Sequence, residues 1–165
     1  MPKLDLDAIE PISRTSYPMP FAAEMGGRHY RRLGPAGGLT QLGVSHCRLD
    51  PGGVSSQRHW HEGIDEFVVI LEGEAMLAED EGETLLRAGD CAAFPKDEPN
   101  GHRLINRSDR PCVFLAIDCQ IGERSGRCLN FVPPPVLLPR RFLAAHAKNF
   151  SGFEKFHRSE GRSVA

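Results

Sequence analysis

Apolar positions fall in short runs from Leu39 onward, each closed by a cluster of turn-forming residues. LTQLGVSHCRL ends at Asp50-Pro51-Gly52-Gly53, FVVIL at Glu72-Gly73-Glu74, TLLR at Ala88-Gly89-Asp90 and CAAF at Pro95. Runs of this length, rich in β-branched residues and bounded by Gly, Pro, Asn and Asp, read as strands. The pattern predicts strands over His29–Leu33, Leu39–Leu49, Ser55–His61, Glu66–Leu71, Ala75–Ala78, Thr84–Arg87, Cys91–Phe94, a segment starting at His102, and Cys112–Ile117. No amphipathic helix separates them, which excludes βαβ units. The expected fold class is all-β, a jelly-roll barrel.

The ends of the chain differ from this body. Residues 1–27 carry Pro2, Pro11, Pro18 and Pro20, a density that discourages helix or central strand. They read as an extended N-terminal arm, packed on the barrel or on a second subunit. Residues 28–119 form the barrel. Residues 120–165 read as a proline-rich and basic extension: polyproline II is expected through Phe131–Pro139 and a short helix through Arg140–Lys148, with the rest irregular.

Charge sharpens that division. Residues 1–119 hold 12 Lys and Arg against 19 Asp and Glu, a balance of −7, and residues 120–165 hold 8 against 3, a balance of +5. The basic segment is too dilute for a nucleic-acid tail, so no nucleic-acid partner is expected. No run is long enough to span a membrane and the first residues lack an apolar signal core, so a cytoplasmic location is the expectation. The five cysteines are scattered and odd in number, which argues against a disulfide framework. Most read as small core residues, and Cys91, beside the Gly89-Asp90 turn, is not read as a nucleophile or ligand.

The chemistry concentrates in Pro51–Gly73. His59 and His61 are one residue apart, and alternation along a strand places both imidazoles on one face. Glu66 opens the following strand. Two imidazoles and a carboxylate on neighbouring strands are a seat for a divalent metal. His102 is a fourth candidate, sharing a face with Leu104 and Asn106. By the same parity Gln57 faces the histidines, while Arg58 and Trp60 face away, Trp60 as a packing or interface residue. His46 belongs to no such cluster. The acidic run Glu79–Glu83 reads as a solvated hairpin tip, without the ligand spacing of a calcium loop.

These residues also carry a family resemblance. Gly53, five residues, His59-x-His61, four residues, Glu66, six residues and Gly73 resemble the first motif of the cupin superfamily. Gly89, five residues, Pro95, then His102, three residues and Asn106 resemble the second, with KDEPNG between Pro95 and His102 two residues longer than usual. The stretch CAAFPKDEPNGHRLINRSD resembles a group of small single-domain bacterial cupins, and the resemblance covers about Phe21 to Asp118. It implies a double-stranded β-helix and assigns His59, His61, Glu66 and His102 to one divalent transition metal: Fe, Mn, Zn or Ni. Gln57, Asp65 and Asn106 are then candidates to tune the ligands from behind. No general base stands out in the motifs.

The expected function is that of a metal-dependent enzyme on a small oxygenated metabolite, dioxygenase-like or sugar-isomerase-like. The alternatives are a non-enzymatic small-ligand sensor and a metal-free barrel. Arg58 and Arg103 fall on the wrong parity to bind a phosphate, which counts against a sugar-phosphate isomerase. Sheet edges need covering, so a homodimer is expected.

Overall fold

The structure is a computed structural model, and it describes residues 3–119 together with the backbone of 127–130. The polyproline and helix expectations for the C-terminal extension lie outside the described residues. The strands are β1 (Arg28–Arg32), β2 (Leu42–Leu49), β3 (His59–Glu62), β4 (Glu66–Glu72), β5 (Glu74–Glu79), β6 (Gly82–Arg87), β7 (Cys91–Phe94), β8 (Arg103–Ile105), β9 (Cys112–Cys119) and β10 (Arg127–Asn130). One helical turn, α1 (Leu33–Ala36), separates β1 from β2.

Two antiparallel layers face each other. The first has the order β1-β2-β9-β4-β7. The second consists of the pair β10-β3 and the triplet β6-β5-β8, joined by isolated bridges from His59 to His102 and from Val54 to Ile105. This is the all-β jelly roll that the periodicity predicts. Alternation puts Leu49, Val68, Ile70, Cys112 and Phe114 of the first layer against Ala75, Leu77, Leu86 and Leu104 of the second, all buried in one core cluster. Burial of each large aliphatic or aromatic side chain contributes about 1.5–3 kcal/mol.

Three local departures from the sequence reading have physical causes. The strand expected over Ser55–His61 starts only at His59. Ser55 accepts the Leu104 N–H with its hydroxyl oxygen at 2.9 Å and donates its own N–H to Leu104 O. A side-chain acceptor thus replaces part of the ladder and bends the chain. The strand expected from Leu39 begins at Leu42, because Leu39 N–H closes back on Gly34 O after α1. β10 was not anticipated: it lies in the C-terminal extension and pairs with β3, Cys128 opposite His61.

The N-terminal arm packs on the barrel. Ile12 and Tyr30 exchange two backbone hydrogen bonds of 2.8 and 3.0 Å, and Arg31 Nε donates to Ile9 O. Ser13 Oγ sits 2.8 Å from His29 Nδ1, and His29 Nε2 is 2.9 Å from Asp50 Oδ2. The arm therefore covers part of the free edge of β1.

Candidate metal centre

The second layer presents His59 and His61 from β3, and His102 immediately before β8. A reciprocal backbone pair locks His59 to His102: His102 N–H to His59 O is 2.9 Å and His59 N–H to His102 O is 3.2 Å. Glu66 enters from the first layer as the first residue of β4. Its Oε2 lies 3.0 Å from His61 Nε2, 3.2 Å from His102 Nε2 and 3.7 Å from His59 Nε2. The four sequence-predicted side chains thus converge on one point between the layers.

Their orientation is enforced. His59 Nδ1 is 2.9 Å from Gln57 O. A carbonyl only accepts, so Nδ1 carries a hydrogen and Nε2 is the nitrogen left for a metal. His102 is stacked on Phe94 with ring centroids 3.6 Å apart and planes 9° off parallel. Nδ1 of His61 and of His102 is buried with no hydrogen-bond partner among the described residues, so none of these prevents either ring from presenting Nε2 as a ligand.

Glu66 carries the electrostatics. Burial by itself would raise its pKa, but the hydrogen bonds from His102 and His61, with His59 facing the same oxygen, override it and hold the carboxyl well below the usual range. The site is therefore anionic where a cation would sit. Two donors about 2.1 Å from one ion and at right angles to each other stand about 3 Å apart, and the observed separations run from 3.0 Å upward to 3.7 Å. His59, His61 and Glu66 form a group that could hold a metal ion, and His102 Nε2 lies 3.2 Å from the same carboxylate oxygen.

A cleft opens beside the ligands. Trp60, His61, Glu79, Ala93, Phe94, Pro95, Glu98, Asn100 and His102 line it. Sequence reasoning missed Trp60, set aside as packing, and Glu79, set aside as a solvated tip. The signal for Glu79 was available: it continues the alternation of the buried Ala75 and Leu77 and so points inward. Asn100 Nδ2 donates to Glu79 Oε1 at 3.2 Å, and Asn100 Oδ1 accepts the Asp80 N–H at 3.1 Å.

The residues proposed to back the ligands are elsewhere. Gln57 donates to Glu24 Oε2, Asp65 accepts the Lys96 N–H, and Asn106 is fully buried with its amide on Leu49 O and Arg110 O. Only the Gln57 carbonyl touches a ligand. Arg58 and Arg103 do point away, as parity requires. Arg58 donates to Gly101 O and pairs with Asp80, and Arg103 reaches Glu24 at 4.0 Å.

A family model described as "Cupin domain" matches residues 45–118. A crystal structure described as a sugar phosphate isomerase from a cupin superfamily, from Silicibacter pomeroyi, is 40% identical, with a TM-score of 0.72 over 82% of this chain and 96% of that one. This chain is a cupin. Other cupin-like structures resemble it in fold alone. A polyketide cyclase from Streptomyces resistomycificus is 15% identical, with a TM-score of 0.64 over 82% of this chain and 88% of that one. A predicted oxalate decarboxylase from Thermotoga maritima is 24% identical, with a TM-score of 0.56 over 71% and 97%. No curated protein matches the chain. The cupin motifs fall on the structure as spaced: Gly53 and Gly73 close the turns before β3 and after β4, and the histidines and Glu66 meet between the layers. Among the described residues no helix is long and apolar enough to cross a membrane.

Proposed function

We propose that this cupin is a metal-dependent enzyme acting on a small oxygenated metabolite, with sugar-isomerase-type chemistry. One observation carries the reading: three imidazole Nε2 atoms lie 3.0–3.7 Å from one largely buried carboxylate oxygen, at the wall of an open cleft. His59, His61, Glu66 and His102 would hold a divalent transition metal. When bound, that ion supplies Lewis acidity to a carbonyl or hydroxyl oxygen of the substrate. Glu79, held by Asn100 at the cleft wall, is the carboxylate placed to accept and return a substrate proton. Phe94 and Pro95 give that wall an apolar stretch that limits water. The 40% identical structure described as a sugar phosphate isomerase supports this class over oxygen chemistry.

The test is elemental analysis of protein purified without chelator, beside His59→Ala/His61→Ala. Near-stoichiometric metal in the wild type, lost in the variant, is expected. Metal-dependent uptake of solvent deuterium into a hydroxycarbonyl substrate, abolished by Glu79→Gln, then identifies the proton transfer. Wild-type protein that holds no metal and takes none up on titration overturns the reading.

A further inference from the structure

The walls of the cleft have a charge that bears on what can enter. Glu79 and Glu98 both line it, and among the described residues no lysine or arginine does. Glu79 is no stray surface carboxylate, since Asn100 fixes it from one side and Asn100 is itself fixed by the Asp80 N–H. The cations nearest in sequence are committed elsewhere. The Arg58 side chain is 6% exposed and binds Gly101 O at 3.0 and 2.6 Å as well as Asp80. Arg103 sits by Glu24, and Lys96 follows Pro95 without forming part of the wall.

Phosphate esters are held by arginine forks, lysines, helix N-termini or nests of backbone N–H groups. Carboxylates repel a phosphate dianion and accept hydrogen bonds from hydroxyls. We infer that the substrate of this cleft is an uncharged polyhydroxylated molecule, such as a free sugar, and not a phosphate ester. The inference rests on the metal-enzyme reading above. It departs from the name carried by the 40% identical structure, whose substrate is a sugar phosphate by that description. In this assignment Glu79 and Glu98 set specificity: they accept substrate hydroxyls and turn away dianions.

Calorimetric titration of the full-length, metal-loaded protein tests it, with a set of free aldoses and ketoses, their own phosphate esters, and inorganic phosphate. Metal content is measured first, so loss of the metal site is scored separately and overturns only the reading on which this one rests. We expect at least one free sugar to bind at least about tenfold more tightly than its ester, since each like charge nearby disfavours the dianion. The charge-neutral Glu79→Gln/Glu98→Gln variant, with metal content retained, should narrow that ratio by about tenfold through tighter ester and phosphate binding. Tighter binding of the esters to the wild type, a ratio unmoved in the variant, or no binding by any free sugar overturns the inference.

Discussion

Burial would raise the Glu66 pKa, yet the imidazoles facing one of its oxygens hold it well below the usual carboxylate range. Removing its charge should affect metal binding more than folding. Glu66→Gln keeps the volume and is expected to weaken metal affinity by at least about 100-fold in a chelator-competition titration. Gly73 poses a different residue-scale constraint. Its φ is +70°, and an added Cβ would clash with Pro111 O. Gly73→Ala combines a left-handed backbone with a backbone clash, and a loss of about 2–4 kcal/mol is expected from urea unfolding.

At the scale of elements, the loop from Lys96 to Gly101 delivers His102, and Arg58 ties its end down through Gly101 O. Arg58→Met leaves that buried carbonyl without its donor. A loss of about 1–3 kcal/mol is expected, with faster hydrogen exchange around 97–102 and weaker metal retention. Retention of metal and exchange protection at wild-type levels would show that the loop holds itself. Most strands were legible in the sequence because each carries its own alternation and its own turn residues, as β7 does between Asp90 and Pro95. The ligands were legible because two are on one strand and a third opens the next. What was not legible involves distant partners. Ser55 bends the chain before β3 only because the Leu104 N–H reaches its hydroxyl. β10 has no alternation of its own to announce it and is defined by pairing with β3. Trp60 was assigned by parity to the far face, yet it borders the cleft; parity fixes a side, not what the neighbouring loop leaves open.

For the molecule as a whole, the outer face of the first layer is apolar where solvent would favour polar residues. Phe67 and Leu71 are 40% and 42% exposed, and Ile117 and Leu115 stand opposite Phe67 and Val69 on β9. We propose a second copy as the occupant of this apolar face. Light scattering is expected to give twice the 18.2 kDa chain mass, falling to one chain in Phe67→Lys/Leu71→Lys. His46 belongs to the same face, opposite Arg31 on β1 and Leu115 on β9, with Glu72 nearby. Burial first, then the Arg31 guanidinium, lowers its pKa. The unfolded chain therefore gains a proton here before the folded one does. Stability is complete above the ordinary value of 6.5 and declines below it until the folded imidazole also protonates. Unfolding free energy should be lower at pH 5.5 than at pH 7.5, and His46→Leu should reduce the difference.

The pairing of β10 with β3 has a consequence for synthesis. β3 meets its partner at His102 early, but its other side stays bare until residue 130 has left the ribosome. Throughout that interval the strand bearing two of the candidate ligands offers unpaired N–H and C=O groups to any neighbouring nascent chain. Early metal capture by His59 and His61 would then act as a fastener, holding the strand in place before its last neighbour is made.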